Sequence, residues 1–205
     1  MKIPEHVALS YLVAQLGVQQ QYGPWGTVVI IAAGCLPDLD GLTLLAGRRA
    51  YRTYHRILGH GLPVTLAGPL VLAATASFAF GLGRIWPLWA WLEVSLLAYL
   101  FVDVCYYRWP VRLLWPFSNR GWGFGLLSWN DLVPTITLYA AVAVTVAWPS
   151  LAPQCAAAAI GVNLLYLGWR AWQPAPITGW GAWLAGDWTR DTPRFWRWLT
   201  GDFVT

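Results

Sequence analysis

The sequence predicts an all-α protein that crosses a membrane several times as a helical bundle. Only 11% of its 205 residues are charged, whereas 58% are apolar and sixteen are Trp. An ordinary soluble domain carries charge on roughly a quarter of its residues. In addition, no Lys, Arg, Asp or Glu occurs in residues 6–37, 61–83 or 132–169. Uncharged stretches of this length are typical of chain that lies in lipid.

Two short apolar segments open the chain, at residues 6–18 and 25–36, and flank a polar turn at residues 19–24. Each is too short to cross a hydrocarbon core of about 30 Å comfortably, because a helix rises only about 1.5 Å per residue. Either both segments tilt across the membrane as short helices, or they enter and leave as a re-entrant hairpin covered by neighbouring helices. In both cases the chain returns to the side from which it started.

Four later stretches are predicted to span the membrane, because each is apolar over a sufficient length. The first of them has 22 uncharged residues, or roughly 33 Å of helix, which matches the hydrocarbon core. Gly83, Arg84 and Pro87 form the turn between the first antiparallel pair, and Pro149 and Pro153 separate the second. The predicted spans are residues 62–83, 85–106, 132–148 and 155–172.

One carboxylate falls near the middle of a predicted span. Glu93 lies eight or nine residues into its helix, and Asn163 lies near the middle of the last span. An unpaired carboxylate at mid-bilayer is costly, so we expect Glu93 to be protonated or hydrogen-bonded, with Asn163 as its partner.

Basic residues predict the topology. If the spans alternate, twelve of the thirteen Lys and Arg residues lie on one side of the membrane, and Arg84 alone lies on the other. This asymmetry predicts a multi-pass inner-membrane protein whose Arg-rich loops and C-terminus face the cytoplasm. Residues 1–172 would form the transmembrane domain, and the Trp- and Arg-rich residues 173–205 an interfacial tail. The basic residues lie among apolar neighbours, which favours membrane lipid rather than nucleic acid as the partner.

The same topology gathers all three histidines and several acids at the cytoplasmic face. Imidazole and carboxylate groups are ligands of Zn²⁺ and, in carboxylate-rich sites, of Mn²⁺ or Fe²⁺. A carboxylate so close to the bilayer interior as Asp103 normally has a cationic partner. The pattern therefore predicts a divalent metal site, with helix capping or a solvated basic loop as the simpler interpretation of single residues. The residues concerned are His6, Asp38, Asp40, His55, His60 and Asp103.

Several short motifs within residues 4–120 resemble the bacterial membrane-bound metal-dependent hydrolase family, which is distantly similar to zinc phospholipases. The family pattern has an early histidine followed by P-D-x-D, H-R-x-x-x-H, H-x-x-x-D and L-L-W-P-F elements. This chain matches them in order, with one departure, since Tyr99 stands where the family has the histidine of H-x-x-x-D. The matching residues are His6, Pro37 to Asp40, His55-Arg56 with His60, Asp103 and Leu113 to Phe117.

The resemblance implies a metal-dependent hydrolase that acts on a phosphoester or lipid-like substrate at the cytoplasmic membrane face. It implies Asp38, His55, His60 and Asp103 as metal ligands, zinc being the first expectation, with His6 as a further ligand. Asp40 would be a general base or would orient a ligand. An anionic group of the substrate would be oriented by Arg56, Asn119 and Arg120.

Tyr99 leaves a second interpretation open. A phenol is a poorer metal ligand than imidazole, because its pKa near 10 keeps it protonated. The chain would then be a non-catalytic subunit or scaffold of a larger membrane complex, with a degenerate site. Its Trp-rich tail would dock against another membrane protein or a pigment complex.

Overall fold

A computed structural model describes residues 3–106, 110–128 and 131–172, and their regular structure is helical apart from two isolated β-bridges. The predicted all-α class is confirmed. The α-helices are α1 Ile3–Gln15, α2 Val18–Gly34, α3 Arg48–Tyr54, α4 Leu62–Phe80, α5 Ile85–Cys105, α6 Leu132–Ala147 and α7 Ala152–Trp172, and the 3₁₀ helices are Pro37–Ala46 and Pro149–Leu151. The predicted interfacial tail, residues 173–205, lies outside the described residues.

Three helical segments of the described chain are long and apolar enough to cross a membrane: α4, α5, and α7 together with the 3₁₀ turn before it. The fourth predicted span is α6, which has only 16 residues and covers roughly 24 Å. Helix α2 and the following 3₁₀ helix Pro37–Ala46, which are bent by 60° relative to each other, would together pass the same test as one broken span.

The polar turn predicted at residues 19–24 is mostly helical. Helix α2 starts at Val18 and contains a single kink at Gly23, whose φ of 64° is left-handed. Glycine takes this conformation without the steric cost of a Cβ. Pro24 follows and starts the second half of the helix, where a missing N–H costs little. The polarity of the three glutamines before the kink therefore marks a helix end and not a loop.

Helix α1 lies in the centre of the bundle and packs against α2, α5, α6 and α7. Its residues Leu9 and Leu12 are buried in a cluster with Leu138 of α6 and Ala156 of α7. On another face, Gly34 of α2 allows close packing, because a Cβ there would collide with the hydroxyl of Ser10. Small residues are common where helices in membranes approach closely.

Asn163 joins α7 to α6 and not to α5. Its Nδ2 donates to Oγ1 of Thr137 and to the carbonyl of Ala159, both at 2.8 Å. Oε2 of Glu93 is buried without a hydrogen-bond partner among the described residues, so the expected pairing of Glu93 with Asn163 is not formed. The reason is connectivity: the helix nearest to α7 along the chain is also its antiparallel neighbour.

The polar ends of the helices meet at one end of the bundle. His6 near the start of α1 lies 3.3 Å from Asp103 near the end of α5, and Arg170 near the end of α7 lies 3.7 Å from Asp131 at the start of α6. The loop of residues 110–128 also lies here, since Phe124 N donates to the carbonyl of Val104 at 2.7 Å. We call this the polar end, and Arg84 lies before α5 at the other end.

Candidate functional site

Four chain segments bring the predicted site residues together at the polar end. The 3₁₀ helix Pro37–Ala46 and the loop between α3 and α4 face each other across the ends of α1 and α5. The residues that they contribute are His6 from α1, Asp38 and Asp40 from the 3₁₀ helix, His55, Arg56 and His60 from the loop, and Tyr99 and Asp103 from α5.

Asp40 is the centre of the hydrogen-bond network, and its side chain is fully buried. Oδ1 accepts from Nδ1 of His55 at 2.7 Å. Oδ2 accepts from Nδ1 of His60 at 3.0 Å and from the backbone N–H groups of Arg56 at 2.7 Å and Gly59 at 3.3 Å. Both oxygens are therefore used to hold the loop, which favours the orienting role for Asp40 over that of a general base.

An ionised carboxylate can only accept hydrogen bonds, so Asp40 determines the tautomer of both histidines. His55 and His60 each carry a proton on Nδ1, and Nε2 is the nitrogen that acts on other groups. Carboxylates commonly fix metal-binding histidines in this way.

Asp103 lies where the other segments converge and is almost completely buried. Its Oδ1 lies 3.3 Å from Nε2 of His6, and its Oδ2 lies 3.3 Å from Nε2 of His60 and 3.2 Å from Nη2 of Arg56. Charge-assisted hydrogen bonds between nitrogen and carboxylate are shorter, at about 2.7–2.9 Å. The two imidazoles therefore approach Asp103 without the close contact of a strong hydrogen bond.

His60 faces carboxylates through both ring nitrogens. Burial disfavours its charged form, but the hydrogen bonds and charges of Asp103 and Asp40 outweigh burial and raise the pKa of His60 above its ordinary value. When Nδ1 donates to Asp40, a neutral His60 directs its Nε2 lone pair toward an oxygen of Asp103. That arrangement is repulsive unless a proton or a metal cation lies between the two atoms.

Tyr99 occupies the place that the resemblance assigns to a histidine. Its hydroxyl donates to Oδ1 of Asp38 at 2.8 Å and lies 3.5 Å from Nε2 of His60. The ring stacks on His6 with 3.7 Å between centroids. Among the described residues, Oδ2 of Asp38 and Nδ1 of His6 are buried without a hydrogen-bond partner. Tyr99 thus lies among Asp38, His60 and His6 and contacts all three.

Two backbone features shape the loop that carries His60. Arg56 has a φ of 63°, a left-handed value that costs a non-glycine residue roughly 1–2 kcal/mol. This turn directs its N–H to Asp40 and its guanidinium to Asp103. At Gly59, a Cβ would collide with the carbonyl of Pro37, so the loop can lie on the 3₁₀ helix only with glycine there. Strain of this kind is often found at functional sites.

The Leu113 to Phe117 segment covers the site loop. The carbonyl of Trp115 accepts from Leu62 N at 3.0 Å, and Arg112 N donates to the carbonyl of Arg56 at 3.3 Å. Further along this loop, Asn119 and Arg120 are exposed, and the Arg120 guanidinium lies 4.7 Å from the centre of the Trp122 ring. Their predicted contact with an anionic substrate stays a prediction.

Sequence reasoning missed a second buried polar cluster beside the site. Asp131 accepts from the hydroxyl of Tyr166 at 2.9 and 3.0 Å and lies 3.7 Å from Arg170. Glu5 accepts from Thr135 Oγ1 at 2.6 Å. These residues tie α6 and α7 to α1. The available signal was an aspartate directly before an apolar helix, which is a typical N-cap, at the same membrane depth as an arginine.

A metal site needs several ligand side chains within reach of one ion. Among the described residues, no group of three or more His, Cys, Asp or Glu side chains could hold a metal ion as they are placed. Ligand atoms at about 2.0–2.1 Å from a tetrahedral zinc lie roughly 3.3 Å from one another. The distances from Asp103 to the Nε2 atoms of His6 and His60 have this value. These two distances match a zinc site, but a full ligand set would form only if side chains moved and the Arg56 guanidinium left Asp103.

The fold and the site together define a polytopic helical membrane protein with a buried His/Asp/Arg cluster at one end of its bundle. The chain belongs to the YdjM inner membrane protein family, whose family model matches residues 1–177. This confirms the inner-membrane part of the resemblance and supports an inner-membrane location, whereas hydrolase activity stays a prediction. Comparisons with curated proteins and with solved structures gave no match.

Proposed function

We propose that this protein is a metal-dependent hydrolase of the inner membrane that acts on a phosphoester or lipid-like substrate. The observation that carries the proposal is the pair of Nε2 atoms, from His6 and His60, at 3.3 Å from the two oxygens of Asp103. In His60 the other ring nitrogen donates to Asp40. A divalent cation would take the place of the proton between Nε2 of His60 and Asp103 and would use the buried Oδ2 of Asp38.

In this proposal His6, Asp38, His60 and Asp103 hold the metal, with zinc as the first expectation and manganese or iron as alternatives. The bound cation would polarise a phosphoryl oxygen and make water more acidic. Asp40 acts as a positioning residue, because it fixes His60 by hydrogen bonds at both the ring and the loop backbone.

Two further residues would act on the substrate. Arg56 is almost buried and lies 3.2 Å from Asp103, so its guanidinium is placed to pair with a phosphate once a cation takes over Asp103. His55 is more exposed, and its Nδ1 donates to Asp40. Its Nε2 is therefore the nitrogen that would bind the metal or carry a proton to the leaving group.

The membrane helices favour a lipid-like substrate. The site lies at the ends of α1 and α5, and the spanning helix α4 begins directly after its loop. A phospholipid that diffuses in the bilayer would reach such a site without leaving the membrane.

The test is hydrolysis by the full chain in proteoliposomes of phosphatidylglycerol, loaded with zinc or manganese. We expect release of a phosphorus-containing or fatty-acid product that is lost in Asp103→Asn. The control is Asp131→Asn, which removes a buried carboxylate of the neighbouring cluster. Equal product release by the wild type and Asp103→Asn would overturn the hydrolase proposal.

One observation favours the alternative, a non-catalytic subunit or scaffold. The guanidinium of Arg56 already provides a cation for Asp103, as a metal would. A protein that keeps this ion pair and stays metal-free would use the cluster only to hold its helices together. Such a protein would purify with a membrane partner and show no metal-dependent product.

We also propose that the polar end faces the cytoplasm. The described arginines other than Arg84 belong to segments at this end, which supports the positive-inside assignment. In a variant that lacks the three native cysteines, a periplasmic thiol reagent should label Arg84→Cys and leave Ser118→Cys unlabelled. The reverse labelling would contradict this orientation.

A further inference from the structure

A concave apolar groove lies beside the candidate site, with a volume of about 430 Å³. It runs between α4 and α5 and is closed on one side by the loop of residues 110–128. We refer to it as the lateral groove. Its lining includes Leu62, Thr65, Leu97, Leu100, Phe101 and Leu113.

The lateral groove and the candidate site share a wall. Leu100 and Leu113 line the groove; Leu100 belongs to the buried cluster that contains Tyr99, and the partly buried Leu113 packs against that cluster. Leu62 of the groove follows His60 by two residues, and its N–H is held by the loop that carries Leu113. A molecule in the groove would therefore lie within one side chain of the site.

The lining excludes a polar ligand. Thr65 is the one polar residue among the lining residues that the structure describes, and its hydroxyl donates to the carbonyl of Gly61 at 3.0 Å. The groove therefore presents only hydrocarbon and aromatic surface to an occupant. Pockets of about 300–1,000 Å³ are the usual size for small ligands.

The length of the groove along α5 can be compared with the thickness of one bilayer leaflet. From Val104 near the site to Leu97, the lining follows α5 over seven residues, or roughly 10 Å. Half of a hydrocarbon core is about 15 Å thick. With the site at the membrane surface, as proposed above, the groove would extend through about two-thirds of one leaflet, parallel to the lipid chains.

Two arginines belong to the segments that join the groove to the site. Arg112 directly precedes Leu113 of the groove lining, and its backbone N–H donates to the carbonyl of Arg56, whose guanidinium lies 3.2 Å from Asp103 in the site. An apolar slot that adjoins an arginine-containing site is suited to a long-chain anion. We infer that the lateral groove binds one acyl chain of an anionic membrane phospholipid and directs its phosphate toward Arg56. The identity of the headgroup site rests on the proposed function.

Lipid retention tests this inference on the full chain. The protein is purified in detergent, stripped of loosely bound lipid, supplied with didodecanoyl phosphatidylglycerol and weighed by native mass spectrometry. We expect one retained lipid in the wild type, at least a tenfold lower retained fraction in Leu97→Trp, and no change in Val94→Trp. Leu97 and Val94 are both about half exposed on α5, at 49% and 47%, but only Leu97 lines the groove. Equal retention by the two variants would overturn the inference.

A second measurement does not depend on a variant that folds. Phosphatidylglycerol with a photoreactive acyl chain is reconstituted with the wild type, and the labelled peptides are sequenced. Labels concentrated at Leu97, Leu100 and Leu113 support the groove. Labels spread equally to the outward-facing Leu165, which is 78% exposed on α7, indicate ordinary solvating lipid and overturn it.

The hydrolase proposal is measured separately on the same samples, by bound metal and by hydrolysis of a water-soluble phosphoester. Lipid retention without bound metal or hydrolysis would overturn the hydrolase proposal and support lipid binding in the lateral groove. Hydrolysis of the soluble ester without labelling of the lateral groove would support the hydrolase proposal and overturn lipid binding there.

Discussion

Replacing Asp40 by Asn tests the centre of the hydrogen-bond network, because the amide keeps the shape of the carboxylate and removes its charge. Oδ2 receives the N–H groups of His60, Arg56 and Gly59. The amide oxygen must therefore take this position, which turns its NH₂ group toward Nδ1 of His55. His55 can accept that bond only by moving its proton to Nε2.

The expected loss follows from these contacts. Three bonds change from charge-assisted to neutral, and each change costs about 1 kcal/mol, so the free energy of unfolding should fall by about 3 kcal/mol. Metal affinity should fall by about 10–100-fold, the usual effect of removing a carboxylate that orients a ligand histidine.

The assay is detergent-solubilised protein unfolded with sodium dodecyl sulfate, together with a zinc titration. Asp131→Asn is the matched control, because its carboxylate is equally buried and accepts from Tyr166. It should lower stability and leave zinc affinity unchanged. If Asp40→Asn lowered the free energy of unfolding by less than about 1 kcal/mol, the reasoning would be refuted, because Asp40 would then not be an ionised acceptor.

Substitutions at three further positions of the site, each with a control, test single features. Gly59→Ala should lower the free energy of unfolding by about 1–3 kcal/mol, because the new Cβ would collide with the carbonyl of Pro37. Gly41→Ala is the control and should change the free energy of unfolding little, because a Cβ there would meet open space. Equal effects of the two substitutions would contradict this packing. Arg56→Gly and Arg56→Gln both remove the guanidinium, but only glycine adopts the positive φ of this position without strain. The glycine variant should therefore be more stable than the glutamine variant by about 0.5–1 kcal/mol in the same assay. A more stable glutamine variant would argue against strain at Arg56. Tyr99→His should tighten zinc binding at least tenfold in a competition titration, whereas Tyr99→Phe should not. Weaker zinc binding by Tyr99→His than by the wild type would exclude position 99 as a ligand position.

Hydropathy predicts the membrane helices because burial in lipid depends on composition over some twenty residues. The spans that became α4 and α5 match their helices to within three residues. The last span begins at Ala152 and not at Cys155. Pro153 fits the first turn of a helix, because backbone N–H groups there have no partner within the helix. The kink at Gly23 and the Asn163–Thr137 bond depend on local packing that composition does not record.

The approach of His6, His60 and Asp103 was predictable from topology, since alternating spans place all three at one membrane face. The role of Asp40 could not be predicted from topology, because it depends on the direction of the loop backbone around Arg56. The contact of Arg56 with Asp103 depends on a left-handed residue, which sequence patterns rarely identify outside glycine and asparagine. Order along the chain thus predicts which groups meet, and backbone geometry decides what each one does.

The most direct test of the metal-site proposal is the metal content of the full chain, purified in detergent without chelators and analysed element by element. The account predicts about one zinc, manganese or iron ion per chain in the wild type and in Asp131→Asn, and none in His60→Ala or Asp103→Ala. A wild-type protein that stays metal-free after incubation with these ions would contradict the hydrolase proposal. The ion pair of Arg56 and Asp103 would then be the cation site of a scaffold.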